Sequence, residues 1–274
     1  MKRLLARPLG KRIKDLLNGT WLGHPLHPAV TDIPLGSWAV AAALDFATIA
    51  GWDDLDRAAG AAQKVGIAGA ALSALSGFAD WSDTGRGQRR VGLVHAGLNV
   101  VALGLVVASV CSRGRRPRIA RALSLAGFGT AAASGWLGGA LVFGMGTQVD
   151  RNAESRKLKE FTHAMADAEL PPERPTRVVV RGIPILLVRK GTRIFALHDV
   201  CSHAGCPLST GRLEGDAIVC PCHGSTFRLH DGRVLHGPSP YRQPTFEARV
   251  VDGDIEVRSQ TAGPRMQKYV SSSS

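Results

Sequence analysis

Apolar positions along this chain follow two different periods. Four long apolar stretches occupy the first half: Ile33 to Gly51, about Ala61 to Ala79, Val91 to Cys111 and about Ile119 to Phe143. Each is close to the roughly 20 residues that a helix needs to cross a bilayer. Their richness in Gly, Ala and Ser is that of helices that approach one another closely in lipid. A bundle of four transmembrane helices is therefore expected. From Arg177 the period shortens to that of strands, over 177–181, 185–188, 193–197, 217–219, 226–229, 246–251 and 254–258. The pairs Arg181-Gly182, Lys190-Gly191, Glu214-Gly215, Asp231-Gly232 and Asp252-Gly253 supply the turns between them. The expected fold class is multidomain: an all-α four-helix transmembrane bundle, then a small all-β antiparallel domain.

The corresponding boundaries are a basic leader over 1–28, the four-span domain over 29–145, a linker over 146–176, the β-domain over 177–258 and a disordered tail over 259–274. The leader lacks the continuous apolar core of a signal peptide. It reads either as a surface-lying amphipathic helix or as a basic tail, since Pro8 and Gly10 weigh against a helix. In the linker, Asn152 to Ala168 has a helical composition that Pro171, Pro172 and Pro175 then break. If flexible, it would be a tether with a reach on the order of 30 Å; otherwise it is a docked stalk.

Charge refines this picture. The chain of 274 residues has a formal net charge of +12, but its Lys and Arg lie in short clusters flanking the apolar runs and aromatic residues are few. That distribution fits membrane topology rather than nucleic-acid binding. Most of these cations, in Lys2 to Lys14, Arg86 to Arg90 and Arg151 to Lys159, fall on the side that holds both termini. A multi-pass protein of the cell membrane is expected, in contact with lipid and with its β-domain in the cytoplasm; the cluster Arg113 to Arg121 opposes that orientation. Asp45 and Asn99 are polar groups at membrane depth. For Asp45 a structural hydrogen-bonding role is expected, with Lys64 as its partner.

The chemistry is concentrated between Val200 and Phe227. Cys201-Ser202-His203 and Cys220-Pro221-Cys222-His223 are separated by Ala204 to Val219. Two thiolates and two imidazoles at this spacing suit one metal centre held by two loops. Zinc accepts the same ligand set. A zinc finger, however, usually has a two-Cys pair followed by a two-His pair, whereas here each box offers one Cys and one His. The mixed boxes suit a cluster with one thiolate-bound and one imidazole-bound iron.

The boxes CSHAGC and CPCHGS resemble those of the Rieske [2Fe–2S] domain, over roughly Arg177 to Arg258. The resemblance implies that Cys201 and Cys220 bind one iron and His203 and His223 the other. It implies a clamp as well, since the equivalents of Cys206 and Cys222 form a disulfide in the respiratory bc-complex branch. Ser225 stands where the high-potential branch has a hydroxyl bonded to a bridging sulfide. Phe227 stands where that branch has a tyrosine, and Pro238 where a proline loop shields the cluster. An intermediate potential is expected. The first half resembles a family of small bacterial four-helix membrane domains of unassigned function, through HPLHPAVTDIPLGSWAVAAALDF and VHAGLNV.

Together these readings lead to a membrane-anchored iron–sulfur protein that transfers single electrons to or from a redox partner protein or a quinone. It is expected to be a carrier or a subunit of an oxidoreductase rather than a stand-alone enzyme. The alternatives are an anchored ferredoxin serving an oxygenase, and a redox sensor or assembly factor. A terminal oxygenase is not expected, because about sixteen residues follow the last strand. His198, His230 and His236 are assigned to surface or turn positions. His24, His27, His95 and Asn99 come to one end of an up-down bundle. There they either bond loops and helix ends or form a second redox site, a haem b or a quinone pocket.

Overall fold

The computed structural model describes residues 8–52 and 54–260. They divide into two compact units, Leu16–Gln148 and a second formed by Met1–Asp15 with Val149–Ser274. The N-terminal leader is a helix, α1, over Pro8–Asn18; the rest of the leader's basic start, residues 1–7, lies outside the described residues, as does the tail from 261.

The helical unit contains α2 (Leu26–Ile49), α3 (Asp56–Ser82), α4 (Arg86–Ser112) and α5 (Pro117–Gly139), the last extended by one π turn over Ala140–Gly144. α2 packs along α3 and α4 along α5, and the contacts α2–α5 and α3–α4 close the bundle. Small residues make these contacts: Ala59, Gly66, Gly69, Ser73 and Ser76 on α3, and Ala120, Ser124, Gly127, Ala131 and Ser134 on α5. Large apolar side chains such as Leu75, Val100, Val101, Trp136 and Phe143 point outward. Small residues inside and large apolar ones outside are the arrangement that lipid favours.

α4, and α5 with its π turn, are long and apolar enough to cross a membrane. α2 and α3 do not meet that measure, so two of the four expected spans do; Asp32 and Asp45 dilute α2, and Gln63, Lys64 and three serines dilute α3. Asp45 is fully buried, and its partner is not Lys64 but Arg113, whose guanidinium donates to both carboxylate oxygens at 2.7 and 2.8 Å. Gln63 takes the inward-facing position on α3 and leaves its neighbour Lys64 exposed. Gln63 accepts from Arg113 Nε at 2.9 Å and donates to Ser109 and Ser124.

The β unit has ten strands: β1 (Thr162–Ala166), β2 (Thr176–Val180), β3 (Ile183–Lys190), β4 (Arg193–His198), β5 (Arg212–Glu214), β6 (Ala217–Val219), β7 (Thr226–Arg228), β8 (Val234–His236), β9 (Thr245–Val251) and β10 (Asp254–Ser259). They form a six-stranded sheet in the order β1-β10-β9-β4-β3-β2 and a four-stranded sheet in the order β5-β6-β7-β8, antiparallel throughout. β3 is buried on both faces. Ile185 and Leu187 enter one core with Phe246, Ile255 and Val257, while Leu186 and Val188 enter a second with Leu197, Ile218 and Phe227. Period-two alternation thus feeds two cores from one strand.

The expected helix over 152–168 is not formed. Thr162–Ala166 instead adds an edge strand to β10, with Thr162 opposite Val257. Asn152, Leu158 and Leu170 are buried, so this stretch belongs to the β unit rather than to a free tether. Pairing with an open sheet edge and burial of two leucines outweigh a helical composition, which is a weak local preference.

Candidate metal centre

Two loops of the same shape present the Cys and His boxes. In the first, the Cys201 N–H donates to the Cys206 carbonyl at 2.9 Å and Gly205 N–H donates back to the Cys201 carbonyl at 2.9 Å. In the second, Cys220 N–H donates to Ser225 at 2.8 Å and Gly224 N–H to Cys220 at 3.1 Å. Gly205 and Gly224 both have positive φ, +80° and +78°, where a Cβ is disfavoured. A disulfide between Cys206 and Cys222 joins the two loops.

Within this clamp Cys201, His203 and Cys220 are buried and His223 is half-buried. The Cys201 and Cys220 thiols hydrogen-bond one another; that bond and burial push Cys201 up, and the same bond holds Cys220 down. Burial, the charge of His223, and the nearby Lys14 and Arg151 lower the His203 pKa to about 3. His203 is thus neutral at physiological pH, as a metal ligand must be.

The imidazole rings of His203 and His223 lie 5.0 Å apart, centre to centre, at 86°. A ring centre sits about 1.1 Å from its nitrogen and a metal–imidazole bond is about 2.1 Å, so two imidazoles on one tetrahedral ion have centres roughly 5.2 Å apart. The observed spacing fits chelation of one iron. Cys206, Cys220 and Cys222 have their sulfurs within 4.8 Å of one another, but the disulfide removes two of these as thiolates and leaves Cys201 and Cys220 as the sulfur donors. Two thiols, two imidazoles and no acidic side chain among them fit a [2Fe–2S] cluster with mixed ligation.

A third loop covers the second box. A Cβ on Gly237 would sit 2.6 Å from Ser225 Cα, so Gly237 has to be glycine for the backbone to lie this close. Pro238 and Ser239 follow it and are buried. Ser239 N–H donates to Ser225 Oγ at 3.2 Å, which leaves the Ser225 proton to be given elsewhere. Phe227 is fully buried and packs in one core with Cys201 and Cys220.

The sequence signals did not reveal the polar network under the first loop. Gln243 Nε2 donates to the carbonyls of His198 at 2.5 Å and Val200 at 2.6 Å, and its Oε1 accepts from Ser202 N–H at 3.0 Å. Asn152 also donates to Val200, at 2.8 Å. The Ser202 hydroxyl bonds Ser239 Oγ and the Tyr241 carbonyl. Asp199 accepts from the Ser209 backbone and hydroxyl and tethers the segment after the first box. Neutral polar residues spread over 91 positions of separation leave no spacing motif to find.

In the helical unit, His27 and His95 come together with ring centres 6.4 Å apart, and Asn99 donates to His95 Nε2 at 3.1 Å. His24 is exposed and its ring bonds the Pro25 carbonyl, so it stays apart from the other two.

A double β-sheet presenting such a site defines a domain of the iron–sulfur electron carriers. The chain belongs to the Rieske [2Fe–2S] domain family, which it matches over residues 160–247, and its residues 23–151 match a family described as predicted membrane protein DUF2231. It is 33% identical over 100 residues to the anthranilate 1,2-dioxygenase ferredoxin subunit of Burkholderia cepacia, covering 36% of this chain and 93% of that protein. It is also 33% identical over 103 residues to the 3-phenylpropionate/cinnamic acid dioxygenase ferredoxin subunit of Escherichia coli K12, covering 37% of this chain and 96% of that one. Among solved structures, the ferredoxin of carbazole 1,9a-dioxygenase from Nocardioides aromaticivorans IC177 is 25% identical with a TM-score of 0.35, covering 37% of this chain and 100% of that chain. A [2Fe–2S] cluster, one-electron transfer and a redox partner protein follow from the family.

Proposed function

We propose that Cys201 and Cys220 bind one iron of the cluster and His203 and His223 the other, and that the helical unit anchors this carrier in the cell membrane. The observation that carries the reading is the two imidazoles 5.0 Å apart beside two hydrogen-bonded thiols. When bound, the cluster supplies a one-electron acceptor whose potential is raised by neutral imidazole ligands. The protein keeps His203 neutral by burial, excludes water with the Gly237–Ser239 loop, and offers the Ser225 proton to the electron-rich sulfur. Phe227 has no hydroxyl to add a second such bond, which supports an intermediate potential. All four helices cross the membrane in this reading, α2 and α3 being carried by their packing on α4 and α5, and the Lys and Arg bias supports a β unit on the cytoplasmic side.

The partner proposed first is a one-electron protein of the kind that the ferredoxin relatives serve. A quinone-linked partner is the second reading, favoured by the Cys206–Cys222 disulfide, because the resemblance ties that clamp to the quinol-oxidising branch. Stopped-flow mixing tests both. The reduced full chain in detergent should be re-oxidised at a rate proportional to the concentration of a one-electron protein acceptor, or of a short-chain quinone analogue. Re-oxidation by neither, with the cluster intact, contradicts electron transfer as the function.

A further inference from the structure

The two helical hairpins, α2–α3 and α4–α5, repeat one another. Trp38 packs on Gly66 where Val106 packs on Gly127. His27 Nδ1 bonds the Ser73 carbonyl at 2.9 Å, and His95 Nδ1 bonds the Ser134 carbonyl at 2.8 Å. A Cβ on Gly77 would meet the His27 ring, and one on Gly138 the His95 ring. First-helix partners are offset by 68 residues, as Asp45 is from Arg113, and second-helix partners by 61, as Gln63 is from Ser124. Equivalent residues that touch each other lie on the axis of such a repeat. Asp45 with Arg113 and Gln63 with Ser124 mark one end of that axis, and His27 with His95 mark the other.

Both axial histidines are set up in the same way. A carbonyl can only accept, so each Nδ1 is the protonated nitrogen and each Nε2 holds the lone pair; the Asn99 amide pointing its N–H at His95 Nε2 agrees. An imidazole whose other nitrogen donates to a backbone carbonyl is the usual form of a metal-bound histidine. The ring spacing matches one coordination geometry better than another. Two imidazoles sharing one metal in a straight line have ring centres roughly 6.4 Å apart, against about 5.2 Å at a tetrahedral angle. The pair here is 6.4 Å apart with planes at 89°.

We propose that His27 and His95 are trans ligands of a single metal centre on the bundle axis, the coordination of six-coordinate haem iron. Asn99 is displaced from Nε2 when the metal binds, and Gly77 and Gly138 keep the ring edges free of side chains. This inference does not depend on the cluster in the β unit.

The test uses the full chain purified in detergent, with haem measured by the pyridine haemochrome and other metals by mass spectrometry. Near one haem per chain is expected, with a low-spin spectrum; haem-free protein should recover it on titration with hemin. His27→Ala and His95→Ala should each lower bound haem at least about tenfold, and His24→Ala should leave it unchanged. His27→Met keeps an axial ligand and should retain haem with an altered spectrum, which guards against a variant that simply fails to fold. A non-cluster metal ion near one per chain without haem, lost in both alanine variants, supports the same site filled by a bare ion. Absence of haem and of any such metal in folded protein that hemin cannot load, or haem retained equally in both alanine variants, overturns the proposal.

Discussion

Replacing Gln243 tests whether the first Cys–His loop is held from beneath. Gln243→Ala removes two donated bonds, to His198 O at 2.5 Å and Val200 O at 2.6 Å, and one accepted from Ser202 N–H at 3.0 Å. Val200 O keeps its bond from Asn152, while the Ser202 N–H loses its acceptor. At about 0.5–1.5 kcal/mol for each of the three lost bonds, the loss is about 1.5–4.5 kcal/mol. For a β unit of roughly 100 residues that is a fall in Tm of at least roughly 6 °C. Gln243→Glu should be worse despite its matching shape, because a buried carboxylate would face two carbonyl oxygens. Thermal loss of the cluster's visible circular dichroism reads the effect, since Cys201 and His203 lie on the affected loop. A Gln243→Glu protein that keeps its cluster to the wild-type temperature refutes the role given to this network.

Other side chains make separate predictions. Ser225→Ala should lower the cluster's midpoint potential and Phe227→Tyr raise it, each by roughly 20–60 mV for one hydrogen bond of about 0.5–1.5 kcal/mol; unchanged potentials in both would show that neither group reaches the cluster. Cys206 and Cys222 should resist alkylation until a reductant is added, and replacing both with Ala should cost about 3 kcal/mol for a bridge spanning 16 positions; free labelling of the oxidised protein would contradict the clamp. Arg113→Ala strands the fully buried Asp45 and should cost about 3–5 kcal/mol in a detergent melt. Because the two positions are equivalent in the repeated hairpins, the swapped pair Asp45→Arg with Arg113→Asp should recover part of that loss, and no recovery would count against the repeat.

What the sequence made legible was what is local in it. The boxes around Cys201 and Cys220 are short, and Val- and Ile-rich strands such as Val178–Val180 and Ile185–Val188 stand between Gly turns. β1, reading Thr-His-Ala-Met-Ala, has little strand preference of its own and exists because β10 offers an open edge. Gln243 and Asn152 act on a loop far away in the chain, and neutral amides have no spacing that announces it. The partner of Asp45 depends on helix register across the bundle, which Lys64, nearer in sequence, could not reveal. The hairpin repeat is faint in the sequence because it keeps the contact residues His27, Ser73 and Gly77 and their counterparts while the outward-facing positions between them differ.

The most direct test of mixed thiolate and imidazole ligation is the electron paramagnetic resonance spectrum of the dithionite-reduced full chain. Two imidazoles on one iron predict a signal whose average g lies well below that of an all-thiolate [2Fe–2S] cluster, with hyperfine coupling to two nitrogens, one of which His203→Ala and His223→Ala each remove. A spectrum of the all-thiolate kind without nitrogen coupling, or protein that holds zinc and no iron, would contradict it.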